Sequence, residues 1–175
     1  QAAREAEKPF AIHAGEVDAA DINPALDLDP DLLVHMVHAE EDHLERLADR
    51  AIPVAVCPRS NLVTGVGLPP IAELAEQTTV ALGTDGAASN NDLDMFGEMR
   101  DAAMVGKLAA ADASAVPAEA VLRMATQGGA RALGVDAGRV EAGAAADLAV
   151  VDLAKPHLTP VHDLVSHLVY AARGS

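Results

Sequence analysis

The sequence predicts an α/β fold: four short parallel strands alternating with helices, followed by a small β-type tail. Three observations predict it. Apolar runs of strand length recur at residues 9–12, 32–37, 52–57 and 79–82, and turn-forming residues or prolines bound them. Segments of helical period separate the runs, the pattern of strands that need crossover connections. Polar residues able to do chemistry follow two of the runs, in His13-Ala14-Gly15-Glu16 and, about seventy residues later, in Gly83-Thr84-Asp85-Gly86-Ala87-Ala88-Ser89-Asn90-Asn91.

Residues 1–8 read as the end of a helix, and residues 9–13 as the first strand. Asp27-Leu28-Asp29-Pro30-Asp31 is a turn signal, made rigid by Pro30. Residues 32–37 form the second strand. Residues 39–50 are helical, with Leu44 and Leu47 on one face and acids opposite. Residues 52–57 form a third strand, stopped by Pro58. A loop with Ser60, Asn61, Gly65, Gly67, Pro69 and Pro70 leads into a short helix at 71–77. The fourth strand spans 79–83. Helices follow at 94–111 and 117–133, where Pro117 suits a first turn and Gly134 a C-terminal cap. Gly138–Gly143 and Asp147–Asp152 read as a hairpin of a separate small β domain, and an apolar stretch at 164–172 closes the chain.

A chain of 175 residues, half of them apolar, can bury a sizeable core. With two Phe, one Tyr and no Trp, that core must come from Leu, Val, Ile and Ala. No apolar run reaches transmembrane length, about 18 residues or more. No signal-peptide pattern opens the chain, and the single Cys57 fits a reducing compartment, so a cytoplasmic location is expected. The net charge is −15, from 27 acidic and 12 basic residues of which only three are Lys. Such a field repels nucleic acid and anionic membranes, which excludes both as partners. Acids placed mainly on helix faces and loops read as halophilic adaptation, with high salt screening the self-repulsion. The charge describes habitat rather than the reaction.

A lone His on an apolar strand is more often a packed core residue than a ligand. His43, on an acidic helix, is expected to be solvated. His157, His162 and His167 lie far along the chain from the strand-end motifs, and His38 is ambiguous. His13 differs because Glu16 follows it by three residues at a strand end. In parallel α/β barrels the strand C-termini converge on one face, where active sites are built. There a divalent metal held by His13 and Asp85 lowers the pKa of a water to about 7. Glu16 is placed to collect and deliver the proton. His35, near the end of the second run, can orient the water or polarise a substrate. Against this, Asp85 alone reads as a turn residue before Gly86, and Glu16 alone as a solvated loop acid. The two motifs together favour the metal site.

Six blocks in order then resemble the amidohydrolase superfamily: His13–Glu16, Val34-His35-Met36-Val37-His38, Cys57-Pro58-Arg59-Ser60-Asn61-Leu62, Gly83–Asn91, Leu93-Asp94-Met95-Phe96 with Glu98-Met99-Arg100, and Ala145–Asp152. The nearest likeness is to the aminohydrolase and chlorohydrolase branch that includes S-adenosylhomocysteine/5′-methylthioadenosine deaminases. The resemblance implies strands 5–8 of a (β/α)8 TIM-type barrel over residues 1–134. It implies part of a small β-sandwich, with a final helix, over 135–175. It also implies one divalent metal, zinc first and iron as the alternative. His13 and Asp85 become metal ligands, Glu16 the proton shuttle and substrate-binding acid, and His35 a catalytic and substrate-binding residue. Ser89 falls in the loop over the substrate.

The family's H-x-H pair of strand-one ligands is absent from this sequence. The chain therefore reads as the C-terminal half of a metal-dependent deaminase acting on a small adenosine-derived substrate. It lacks the N-terminal half of the barrel, and its open sheet edges favour a homo-oligomer. The rivals are another hydrolase on the same site (guanine or cytosine deamination, triazine dechlorination) and an inactive structural remnant.

Overall fold

The computed structural model describes residues 2–174. Its centre is a four-stranded parallel sheet in the order β1-β2-β3-β4. The strands are β1 (Ala11–Ala14), β2 (Leu32–His35), β3 (Val54–Val56) and β4 (Val80–Leu82). The register sets His13 beside Val34, Ala14 beside His35, and Val56 beside Leu82. Consecutive strands are neighbours, so their carboxyl ends form one row.

Helices fill the connections. A short α1 (Ala2–Glu5) precedes β1, and α2 (Ile22–Asp27) links β1 to β2. The turn signal at residues 27–31 follows a helix that the sequence pattern had not announced. Between β2 and β3 runs α3 (Glu41–Arg50), whose apolar positions face inward: Leu47 is buried and Leu44 partly so. The expected loop after β3 is in fact α4 (Pro58–Thr64), followed by α5 (Ile71–Gln77). Pro58 occupies the first turn of α4, and Gly65 caps it in the left-handed region at φ +71°, the preferred start and stop of a helix.

Beyond β4 come α6 (Ala87–Asn90) and the long α7 (Met95–Ala110), with Asp94 capping the latter through Phe96 N–H at 3.0 Å. The helix expected at 117–133 is three pieces: α8 (Ala118–Arg123), a π turn (Met124–Gly128) and α9 (Gly129–Ala132). The π turn lies on β4. A Cβ at Gly128 would collide with the Val80 carbonyl oxygen, so only glycine permits this approach.

The core lies between sheet and helices, built from Ile22, Leu26, Leu33, Leu47, Val54, Val56, Ile71, Leu74, Met99 and Val121. The tail corrects the sequence reading. Residues 138–152 form no strand, and Val140 and Val150 are 88% and 97% exposed. A hairpin with no sheet to bury its apolar face is marginal in water. The chain ends in α10 (Leu164–Tyr170), which packs on α7 and α8. No described helix is long and apolar enough to cross a membrane.

A candidate metal and catalytic site at the strand ends

The candidate site begins where β1 stops. After Ala14 the chain passes through Gly15 at φ +64°, where a Cβ would come within 2.7 Å of Ile22 Cδ1 and 3.3 Å of Met36 Cα. Gly15 N–H donates to Asp21 Oδ1 at 2.7 Å, and its carbonyl accepts from His38 N–H at 3.0 Å. These bonds fix the loop that carries Glu16 against the end of β2. There His35 and Met36 adopt φ +78° and +51°. Two successive non-glycine residues in this region are uncommon and cost energy; they end the strand two residues before the apolar run does.

His35, fully buried, is the hub. Its Nε2 lies 3.2 Å from His13 Nδ1 and 3.5 Å from Glu16 Oε2, with the two imidazoles edge to face at 65°. Its Nδ1 lies 3.3 Å from Asn61 Nδ2. An amide N–H donating to Nδ1 places the proton of the neutral ring on Nε2, facing His13 and Glu16. Burial chiefly, and then His13, lower the His35 pKa, while Glu16 and Asp85 oppose them. The ring is accordingly neutral near pH 7.

Asp85 follows β4 at φ +58°. Its Oδ2 accepts from Ser60 Oγ at 2.6 Å and from Ser89 Oγ at 3.1 Å, and its Oδ1 from Gly86 N–H at 2.8 Å. The Ser60 bond is the main reason its carboxyl sits below the usual carboxylate range, helped by Gly86, Ser89 and His35. Asp85 is thus held as an anion.

The five residues selected from sequence fall at one end of the sheet, in two groups. His13, Glu16 and His35 each offer a donor atom within 4.8 Å of the others. Asp85 and Ser89 form the second group, joined through Ser60. Imidazole nitrogens beside carboxylate oxygens are a donor set that suits zinc.

Four further residues were not singled out from sequence. Ser60 and Asn61, side by side in α4, touch Asp85 and His35. Asn90 donates to the Thr84 carbonyl and to Glu98 Oε1, both at 2.5 Å. Glu98 also accepts from Arg59 N–H at 3.3 Å. The block Cys57–Leu62, directly after a strand, was the available signal for the first pair, and the blocks Gly83–Asn91 and Glu98–Arg100 for the second.

Other histidines stand apart. His43 is not solvated as expected but buried: Nδ1 accepts from Glu40 N–H at 3.0 Å, and Nε2 lies 3.2 Å from Asn23. His38 Nε2 bonds the Val66 carbonyl at 2.9 Å. His167 bonds the carbonyls of Asp163 and Pro160 within the tail.

With this geometry in hand, comparison with known proteins assigns the chain. Residues 1–174 match the amidohydrolase family, and the chain belongs to it. It is 52% identical over 189 residues to the 5-methylthioadenosine/S-adenosylhomocysteine deaminase of Natronomonas pharaonis, covering 99% of this chain and 44% of that protein. An adenosine deaminase from Xanthomonas campestris with bound zinc superposes at a TM-score of 0.90 and 40% identity, covering 98% of this chain and 43% of that one. The zinc complex of an atrazine chlorohydrolase from Arthrobacter aurescens superposes at 0.85 and 29% identity, covering 99% and 42%. The chain spans less than half the length of the relatives it matches.

Proposed function

We propose that this chain carries the C-terminal half of the active site of a metal-dependent deaminase acting on an adenosine-derived nucleoside. Residues 1–134 supply strands five to eight of a (β/α)8 barrel, and 135–175 belong to a small β-sandwich domain with its final helix. The observation that carries the reading is the His13–Glu16–His35 cluster, set beside an anionic Asp85 on the carboxyl edge of a parallel sheet. Relatives named as methylthioadenosine/S-adenosylhomocysteine and 5′-deoxyadenosine deaminases, and the zinc-bound adenosine deaminase neighbour, point to the substrate class. The neighbour named as a chlorohydrolase is less identical to the chain, at 29% against 40%.

His13 and Asp85 would hold one divalent metal, zinc by the donor set. A catalytic zinc usually takes three protein ligands, so His13 and Asp85 alone do not complete the set. Bound there, the metal would make a water acidic enough to lose its proton near pH 7. The protein's own groups then do the rest. His35 Nε2–H, fixed by Asn61 at the opposite nitrogen, orients the attacking oxygen. Glu16 binds the purine edge, takes the proton the water releases and passes it to the ring nitrogen as oxygen adds to C6. Asp85 takes the second proton from the new hydroxyl, and that proton, relayed through Glu16 to the amino group, lets the tetrahedral carbon expel ammonia as the C6–N bond breaks, leaving the 6-oxo purine. Ser89, on α6 rather than in a loop, bonds Asp85 and faces the substrate from beside it.

The test is deamination of 5′-methylthioadenosine by the zinc-loaded protein expressed from its complete gene, read as ammonia release and as the ultraviolet change from adenine to hypoxanthine. Turnover that is lost on chelation and restored by zinc supports the reading. A zinc-loaded protein inert toward every adenine nucleoside contradicts it.

A further inference from the structure

We infer that Glu98 is a positioning residue that holds Asp85 and His35 in place from beneath, through one carboxylate tied to the helix that supports both and to the segment that presents Asp85. This rests on the proposed metal reading of Asp85. Glu98 lies on α7 and is wholly buried, yet none of the described cations forms an ion pair with it. The Arg59 guanidinium instead binds Asp92 and Asp101, at 2.9 and 2.7 Å. A buried carboxylate so placed is costly unless its hydrogen bonds serve the surrounding structure. They do here.

Glu98 Oε2 takes the Arg59 N–H in the first turn of α4, and the next two residues of that helix are Ser60 on Asp85 and Asn61 on His35. Oε1 takes Asn90 Nδ2, which also donates to the carbonyl of Thr84, immediately before Asp85. One side chain therefore clamps the helix that supports both site residues and the backbone that presents one of them. Every donor around it is an N–H, so an acceptor-only carboxylate satisfies the site and a carboxamide does not. Burial raises its pKa, while Asn90, the Arg59 backbone N–H and the Arg59 charge oppose that.

The experiment is Co²⁺ titration of the metal-depleted protein expressed from its complete gene, reading affinity and the visible ligand-field band. Glu98→Gln is isosteric but turns a donor toward Asn90 or Arg59 N–H. It should weaken Co²⁺ binding about 10–100-fold and shift the band, the usual effect of disturbing a group behind a metal ligand. Ala102→Gly on the same helix should lower thermal stability while leaving both readings unchanged. Asn90→Ala, which cuts one arm of the clamp and leaves Glu98 in place, should act in the same direction if Glu98→Gln folds poorly. Wild-type binding that Glu98→Gln and Asn90→Ala leave untouched would overturn this inference alone. A wild-type protein that binds no Co²⁺ would overturn the metal reading and this inference with it.

Discussion

Ser60 donates a 2.6 Å hydrogen bond to Oδ2 of Asp85 from the first turn of α4. It joins residues 25 apart in sequence, from the ends of β3 and β4, and is the largest reason that Asp85 is held as an anion. Its neighbour Asn61 does the corresponding service for His35. A helix that the sequence pattern had read as loop therefore supports two of the residues proposed to do the chemistry.

Ser60→Ala should weaken metal binding about tenfold, measured by competition with a chelator. The metal-free protein gives a second readout. A carboxyl with a depressed folded pKa contributes stability that is present above its unfolded pKa and lost as pH falls through the folded one. Ser60→Ala shrinks that contribution, so the acid unfolding midpoint of the metal-free variant should move to higher pH. An unchanged midpoint would deny Ser60 its role.

Glu16→Gln should reduce turnover by about 10²–10⁴, the usual worth of a positioned proton carrier. Zinc content should stay at the wild-type level, because Glu16 is assigned no ligand role. Stopped turnover with normal zinc on elemental analysis is the expected pair of results; full turnover would remove Glu16 from the mechanism.

Cys57 should resist thiol reagents in the folded protein. It is 3% exposed, and burial first, then Asp85 and Glu98, push its pKa up to about 12. The thiolate is the reactive form, so titration at mildly alkaline pH should find no reactive Cys57 until denaturant is added. Rapid labelling under native conditions would contradict the packing around β3.

The net charge of −15 should make stability rise with salt. The Debye length falls from about 8 Å at 0.15 M to about 3 Å at 1 M, which relieves repulsion among surface acids. Thermal melts in rising KCl should show an increasing midpoint, and a flat profile would remove the halophilic reading.

The strands were legible because a parallel strand needs a short apolar run, and each of residues 9–12, 32–37, 52–57 and 79–82 carries one; burial is complete or partial in β2 to β4, while in β1 only Ala14 is buried. His13 and Glu16 were legible as a local pair, and Asp85 as part of a distinctive block. The partners were not. Ser60, Asn61 and Glu98 meet Asp85, His35 and Arg59 across 25, 26 and 39 residues, and Glu98 in isolation is an ordinary helical acid. The tail failed in the opposite direction. The apolar run at residues 148–151 has strand composition but does not say whether anything covers it, and here Leu148 and Val150 face solvent.

The most direct test of the central claim joins metal to chemistry in one measurement: ammonia released from 5′-methylthioadenosine by the protein expressed from its complete gene, as a function of bound zinc, for wild type, His13→Ala and Asp85→Ala. The account predicts wild-type turnover proportional to zinc occupancy, with both variants poor in zinc and at least 10²-fold slower, in line with the worth of a catalytic group. Variants that release ammonia at the wild-type rate would contradict it, as would a zinc-loaded wild type that leaves the amino group in place.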